Sequence, residues 1–201
     1  MTKIKLCGMK SALDIEYANE LKPDYIGFIF FPKSKRYVTP DKANELMERL
    51  DKNIIPVGVF VDEKIETILD IINKGTIKAV QLHGDEDDNY IAELRKSTDA
   101  AVIKAFKVKS SEDIEKAKKS TADYVLLDSG AGSGKTFEHE LIQNVDRDFF
   151  LAGGLYPENV VEAIDKYKPF AVDVSSSLET AGFKDKHKMT AFVKAVRKEQ
   201  A

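Results

Sequence analysis

Cysteine is nearly absent from this chain: there is one, Cys7, among 201 residues. That excludes an intramolecular disulfide, and with it the small stapled domain of secreted proteins. Long apolar runs are missing too. The longest, Tyr25 to Phe31 and Ile54 to Val61 (broken by Pro56), are of strand length and too short to span a bilayer. Neither sign of charge dominates, since 31 Lys and Arg stand against 34 Asp and Glu. The charges are interleaved, as on solvated helical surfaces, so neither a nucleic-acid partner nor a membrane partner is expected. The run Lys33-Ser-Lys-Arg36 is too short for a polybasic patch. No Gly/Ser linker or low-complexity stretch divides the chain, and no basic start leads into an apolar signal segment. These absences predict a cytoplasmic protein with one domain over residues 1–201, a length suited to one buried core.

What is present is an alternation. Short β-branched or aromatic runs centre on Ile4-Lys-Leu6, Tyr25 to Phe30, Ile55 to Phe60 and Lys78 to Leu82. Four more follow, at Ala101 to Ala105, Tyr124 to Leu127, Phe149 to Ala152 and Phe170 to Val174. They recur at roughly the length of one βα unit. Helical stretches lie between them. Ser11 to Leu21 opens on a capping serine, and Thr39-Pro40 reads as N-cap and first helical residue. Others begin at Asp62, with Ile65, Ile68, Leu69 and Ile72 on one face, at Ser110, and at Tyr156-Pro157. Eight such units admit a closed (β/α)₈ barrel or an open doubly wound sheet. The glycine fingerprint expected after the first strand of the open sheet is missing, so the α/β barrel is preferred, with brief fifth and sixth helices to fit the length.

Chemistry-bearing residues fall at the ends of the strand runs, where a parallel barrel holds its active site. Cys7 ends the first, in Lys5-Leu-Cys-Gly-Met-Lys10; it is a buried small hydrophobe or a base, and as a base it needs a thiol pKa lowered toward neutrality. Asp128 ends the sixth, as a turn cap or a proton donor. Arg36 is a solvated cation or a two-pronged carboxylate clamp. His83 lines a pocket or caps its strand. His139 and His187 share no metal-ligand spacing with it or with Cys7, so no metal site is argued. The paired glycines Gly153 and Gly154, and Ser175 and Ser176 after the eighth run, suit a phosphate site after strands seven and eight. Ser129-Gly-Ala-Gly-Ser-Gly-Lys-Thr136 misses a nucleotide phosphate loop by one residue, Ser129, and reads instead as a mobile cover.

Taken together, Lys5 to Lys10, Gly27 to Val38, Val80 to Glu86, Ser133 to Phe137, Leu151 to Val160 and Val172 to Ser176 resemble phosphoribosylanthranilate isomerase, in the same order from first strand to last. The resemblance implies an Amadori rearrangement in tryptophan biosynthesis, without cofactor or metal, by a monomer or homodimer acting on a small-molecule substrate. Asp128 matches its general acid and Cys7 its general base. Arg36 matches the residue that holds the anthranilate carboxylate. His83 and Asp173 match further substrate contacts, and Gly153, Gly154, Ser175 and Ser176 the phosphate loops. At neutral pH the acid role requires a raised pKa at Asp128 or a small protonated fraction.

Two departures stand out. Ser177 replaces an expected glycine, which would displace the phosphate if the backbone needs a positive φ there. His139 stands where a tryptophan is common. The rivals are another phosphate-binding barrel, with Lys104 as the lysine of an indole-glycerol-phosphate synthase, and a non-catalytic barrel that binds a phosphorylated metabolite.

Overall fold

Runs of strand length that are apolar on both faces must be covered on both faces, which parallel βα units achieve. The computed structural model describes residues 1–129, 142 and 145–198. Its strands are β1 (Lys3–Cys7), β2 (Tyr25–Ile29), β3 (Ile55–Phe60), β4 (Ala79–Leu82), β5 (Ala101–Lys107), β6 (Tyr124–Asp128), β7 (Phe149–Ala152) and β8 (Ala171–Val174). They form a closed barrel in chain order, with β8 pairing in parallel back onto β1. The (β/α)₈ reading holds. The cover loop after Ser129, His139 and the predicted sixth helix lie outside the described residues.

The outer helices are α1 (Ala12–Leu21), α2 (Pro40–Met47), α3 (Ile65–Asn73), α4 (Asp88–Arg95), α5 (Ser111–Lys119), α6 (Val160–Tyr167) and α7 (Lys186–Lys198). The Ser11 side chain caps α1 and accepts from the Asp14 N–H at 3.2 Å, while the Asp14 carboxylate accepts from the Ser11 N–H at 3.1 Å. Thr39 caps α2 from one side only, its hydroxyl accepting from the Lys42 N–H at 3.2 Å, with Pro40 at the first helical position. None of the described helices is long and apolar enough to cross a membrane.

Three helix expectations need correction. α3 starts at Ile65 rather than Asp62, because Asp62 is held at φ +49° and accepts from the Asp85 N–H at 2.7 Å. α5 is not brief: its nine residues equal those of α3, helped by a reciprocal cap between Ser110 and Asp113. α6 starts at Val160 rather than Tyr156. Asn159 closes the turn ahead of it, accepting from the Tyr156 N–H at 2.7 Å and donating to the Gly154 carbonyl at 2.8 Å.

Alternation along each strand divides the core. On β1, Ile4 and Leu6 join the layer between barrel and helices, whereas Lys5 and Cys7 face inward. The barrel interior is filled by Val57, Ala79, Ile103, Leu126, Phe150 and Ala171, among others. Its lower end, at the strand starts, is closed by rings. Phe150 lies with its ring centre 5.5 Å from Tyr25 and 5.7 Å from both Tyr124 and Phe170.

A feature without a clear sequence signal follows β8. A 3₁₀ turn (Ser176–Leu178) leads into a hairpin of β9 (Glu179–Thr180) and β10 (Phe183–Lys184), which sets Glu179 and Lys184 against the barrel mouth. At the other end, Phe150→Ala would empty the ring cluster and is expected to lower unfolding free energy by about 3–5 kcal/mol, read from urea denaturation.

Candidate active site

The upper ends of the strands surround a cavity of about 320 Å³. Cys7, Arg36, His83, Asp128, Gly153, Gly154, Asp173, Ser175 and Ser176 all line it, so the residues singled out from sequence converge on one place. Four further groups had not been singled out: Lys5, Gln81, Glu179 and Lys184.

Cys7 is the last residue of β1 and is 5% exposed. Opposite it in register is Gly27, where an added Cβ would come 2.6 Å from the Cys7 sulfur. A glycine is therefore what leaves room for the thiol to face the cavity. Next to it on the same inward face, Lys5 is fully buried and donates to Asp173 at 2.8 Å across the β1–β8 seam. Burial alone would depress the Lys5 ammonium, but Asp173 and Cys7 outweigh it and raise its pKa, so it stays protonated.

The expected depression of the Cys7 thiol does not occur. Burial pushes its pKa above the ordinary 9.0; Lys5 and Lys184 pull it down, Asp173 pushes it further up, and burial prevails. The resting group is a protonated thiol with two cations near it.

Asp128 ends β6. Its Oδ2 lies 3.8 Å from His83 Nε2, the residue just past β4. Burial lowers the His83 pKa, against the pull of Asp128 and Asp173, which keeps the ring neutral at neutral pH. The other ring nitrogen, Nδ1, sits 2.9 Å from the Gln81 carboxamide nitrogen.

Arg36 corrects the simple picture of a clamp. One edge of its guanidinium, Nε and Nη2, is already taken by Glu179, at 2.6 and 2.9 Å. That leaves the other edge, Nη1 with the second N–H of Nη2, without a partner among the described residues, so a two-pronged grip on a second carboxylate remains available. Glu179 is itself shared: Lys184 donates to it at 2.8 Å and to the Ser175 carbonyl at 3.0 Å. Burial works against the Glu179 carboxylate, but the bonds from Arg36 and Lys184 hold its pKa below the ordinary value.

Gly153 and Gly154 adopt φ +88° and +64°, a positive-φ pair at the wall of the cavity, where the lack of side chains lets a ligand approach the backbone. A Cβ on Gly153 would lie 2.6 Å from the Asp128 carboxylate. The Ser175 hydroxyl donates to the Cys7 carbonyl at 3.0 Å. Ser177 is in the 3₁₀ turn and is not at positive φ, so the strain that would displace a phosphate is not present. Its hydroxyl instead ties the β8 loop to the Leu155 carbonyl at 2.7 Å. Lys104, the candidate lysine of a rival synthase, is committed elsewhere: it donates to the Gly84 carbonyl at 2.6 Å and to Glu86 at 2.9 Å.

This geometry can now be set beside known proteins. The sequence pattern of N-(5'-phosphoribosyl)anthranilate (PRA) isomerase matches residues 4–195. The chain belongs to the PRA isomerase family. It is 44% identical to the N-(5'-phosphoribosyl)anthranilate isomerase of Thermoanaerobacter sp. over 204 residues, 98% of each chain. The crystal structure of phosphoribosyl anthranilate isomerase from Thermotoga maritima superposes with a TM-score of 0.90, at 39% identity, over 98% of this chain and 100% of that one. Monomers derived from that dimeric enzyme superpose with 0.88. A phosphoribosyl anthranilate isomerase in complex with reduced 1-(o-carboxyphenylamino)-1-deoxyribulose 5-phosphate superposes with 0.87, at 38% identity, over 98% and 100%.

Of the four groups not singled out, Lys5 and Gln81 did carry a signal: a long polar side chain between apolar neighbours in a strand covered on both faces. Glu179 and Lys184 carried none, because their place depends on how the hairpin folds back. The direction of the Cys7 shift is open to test. Alkylation by iodoacetamide reads the thiolate, and the chain has no other cysteine. With the pKa raised, the thiolate forms mainly above the ordinary value, so the alkylation rate should still be climbing with pH at about pH 9. A plateau near neutrality would contradict it.

Proposed function

We propose that the cavity carries out the Amadori rearrangement of N-(5-phosphoribosyl)anthranilate to 1-(2-carboxyphenylamino)-1-deoxyribulose 5-phosphate, with Asp128 as general acid and Cys7 as general base. The observation that carries the assignment is their placement: the two groups end β6 and β1 and face one cavity that Arg36 and the left-handed glycine pair also line.

Protonated Asp128 gives its proton to the ribose ring oxygen, the C1–O bond breaks, and the anilino nitrogen forms a Schiff base with C1. The positive charge on that Schiff base acidifies the C2 proton. It also stabilises a nearby thiolate, formed when Cys7 releases its own proton to solvent, which offsets the burial that holds Cys7 protonated at rest. Cys7 takes the C2 proton, and the resulting enolamine tautomerises to the ketone. Lys5 and Lys184 supply fixed positive charge to the same thiolate. Arg36 grips the anthranilate carboxylate with its open edge, Gly153, Gly154, Ser175 and Ser176 receive the phosphate, and His83 and Asp173 contact the substrate between them. Every proton in this scheme moves through a side chain, the substrate or solvent, so it names no cofactor and no metal.

The same reading makes the chain a single catalytic domain, cytoplasmic, a monomer or homodimer, with a small molecule as its partner and neither nucleic acid nor membrane. A non-catalytic barrel that binds a phosphorylated metabolite is the alternative, and the joint presence of Cys7, Asp128 and Arg36 at one cavity disfavours it.

The substrate is made in situ from anthranilate and phosphoribosyl pyrophosphate, and loss of its fluorescence is followed. Wild type should consume it rapidly, and Cys7→Ser and Asp128→Asn should each lose at least about 100-fold in kcat. Binding without turnover by wild type would establish the alternative. Glu179→Gln weakens the brace on Arg36 and should raise KM by about tenfold, with kcat within about threefold. A fall confined to kcat would instead place Glu179 in the chemistry.

A further inference from the structure

Gln81 faces the cavity from β4 and is 1% exposed. Its carboxamide is divided in its loyalties. The nitrogen contacts His83 Nδ1 at 2.9 Å. The oxygen has no hydrogen-bond partner, and it is the one buried side-chain nitrogen or oxygen of which this is true among the described residues. A buried acceptor left unpaired is destabilising, and such an atom beside a cavity is one that a ligand would satisfy.

Both ends of the amide bear on the isomerisation. An amide nitrogen can only donate, so His83 Nδ1 accepts and the ring proton lies on Nε2. That N–H faces the Asp128 carboxylate 3.8 Å away. At the other end, the amide oxygen needs a donor. The two ends of the proposed substrate are a carboxylate and a phosphate, and neither offers one when ionised. Only the ribosylamine between them does, through its hydroxyls and its anilino N–H.

We propose that Gln81 is both a substrate contact and a positioning residue: its amide nitrogen holds His83 in the Nε2–H tautomer toward Asp128, and its amide oxygen accepts from an O–H or N–H of the ribosylamine. This rests on the assignment of substrate and acid made above. The charged groups facing His83 are Asp128 from β6, Asp173 from β8, Lys5 from β1 and Lys107 from β5. None of them reaches Nδ1 in a hydrogen bond, so the tautomer is set by Gln81.

The full chain is tested as wild type, Gln81→Met and Gln81→Glu, by steady-state kinetics, urea denaturation and ¹⁵N NMR of the histidine rings, with the His83 signals assigned by His83→Asn. Wild type should show His83 protonated on Nε2. Gln81→Met removes the unpaired oxygen in a side chain of similar volume. Its urea midpoint should equal or exceed that of wild type, while kcat/KM falls about tenfold or more and His83 becomes a mixture of tautomers. A structural role alone predicts the reverse, a lower midpoint with the tautomer unchanged. Gln81→Glu keeps an acceptor but draws the proton to Nδ1, and should lose kcat more than KM. It also carries the test if Gln81→Met does not fold.

Three results would overturn the proposal: kcat/KM within about threefold of wild type in both variants, wild-type His83 protonated on Nδ1, or an unchanged His83 tautomer in Gln81→Met. Failure of the wild type to turn over would instead count against the isomerase reading itself.

Discussion

The ion pair between Lys5 and Asp173 is the interaction on which this site depends. Both side chains sit inside the barrel, 0% and 10% exposed, at 2.8 Å across the seam where β8 meets β1. Either charge alone in that place would be strongly destabilising, and only the closed barrel brings the two together. Closure of the fold and the electrostatics of the base are thus one event. The seam gives Lys5, the inward-facing neighbour of Cys7 on β1, its counter-ion, and the Ser175 hydroxyl bonds across it to the Cys7 carbonyl. An open sheet built from the same strands would lose the pair and leave the Lys5 ammonium beside Cys7 without its counter-ion.

Chemistry and recognition are carried by different parts of the molecule. Cys7 and Asp128 are on strand ends, where the barrel ladder fixes their separation. Arg36 comes from a loop and is aimed by Glu179 of the hairpin after β8, which Lys184 braces in turn. Loops and hairpins can change without disturbing the ladder, so a grip on one substrate end can be adjusted while the reacting groups stay in place. The glycines do related work at close quarters: Gly27 makes space for the thiol, and Gly153 for the Asp128 carboxylate.

Much of the fold was legible because short, largely apolar runs of strand length recur between charged stretches of helical period. The barrel reading rested on this alternation, and the site residues on their position at its strand ends. Helix starts were less legible. Asp62 looks like a cap but is drawn into a turn with Asp85, and Pro157 looks like a first helical residue but precedes the turn that Asn159 closes. In each case a hydrogen bond to a residue outside the helix decided the boundary. Ser177 shows the converse: a departure that looked strained carries no positive φ, because the backbone there is a 3₁₀ turn.

By itself the sequence determined the order of strands and helices, the residues that stand at the barrel mouth, and the family likeness those residues carry together. All of these follow from local pattern and spacing along the chain. Only the tertiary structure decided the protonation and the aim of the groups. Burial raised the thiol that neighbouring cations alone would have lowered, Glu179 took one edge of Arg36 and left the other, and the Gln81 carboxamide was brought against His83 Nδ1. Those properties depend on desolvation and on partners distant in the chain, which exist only once the barrel has closed.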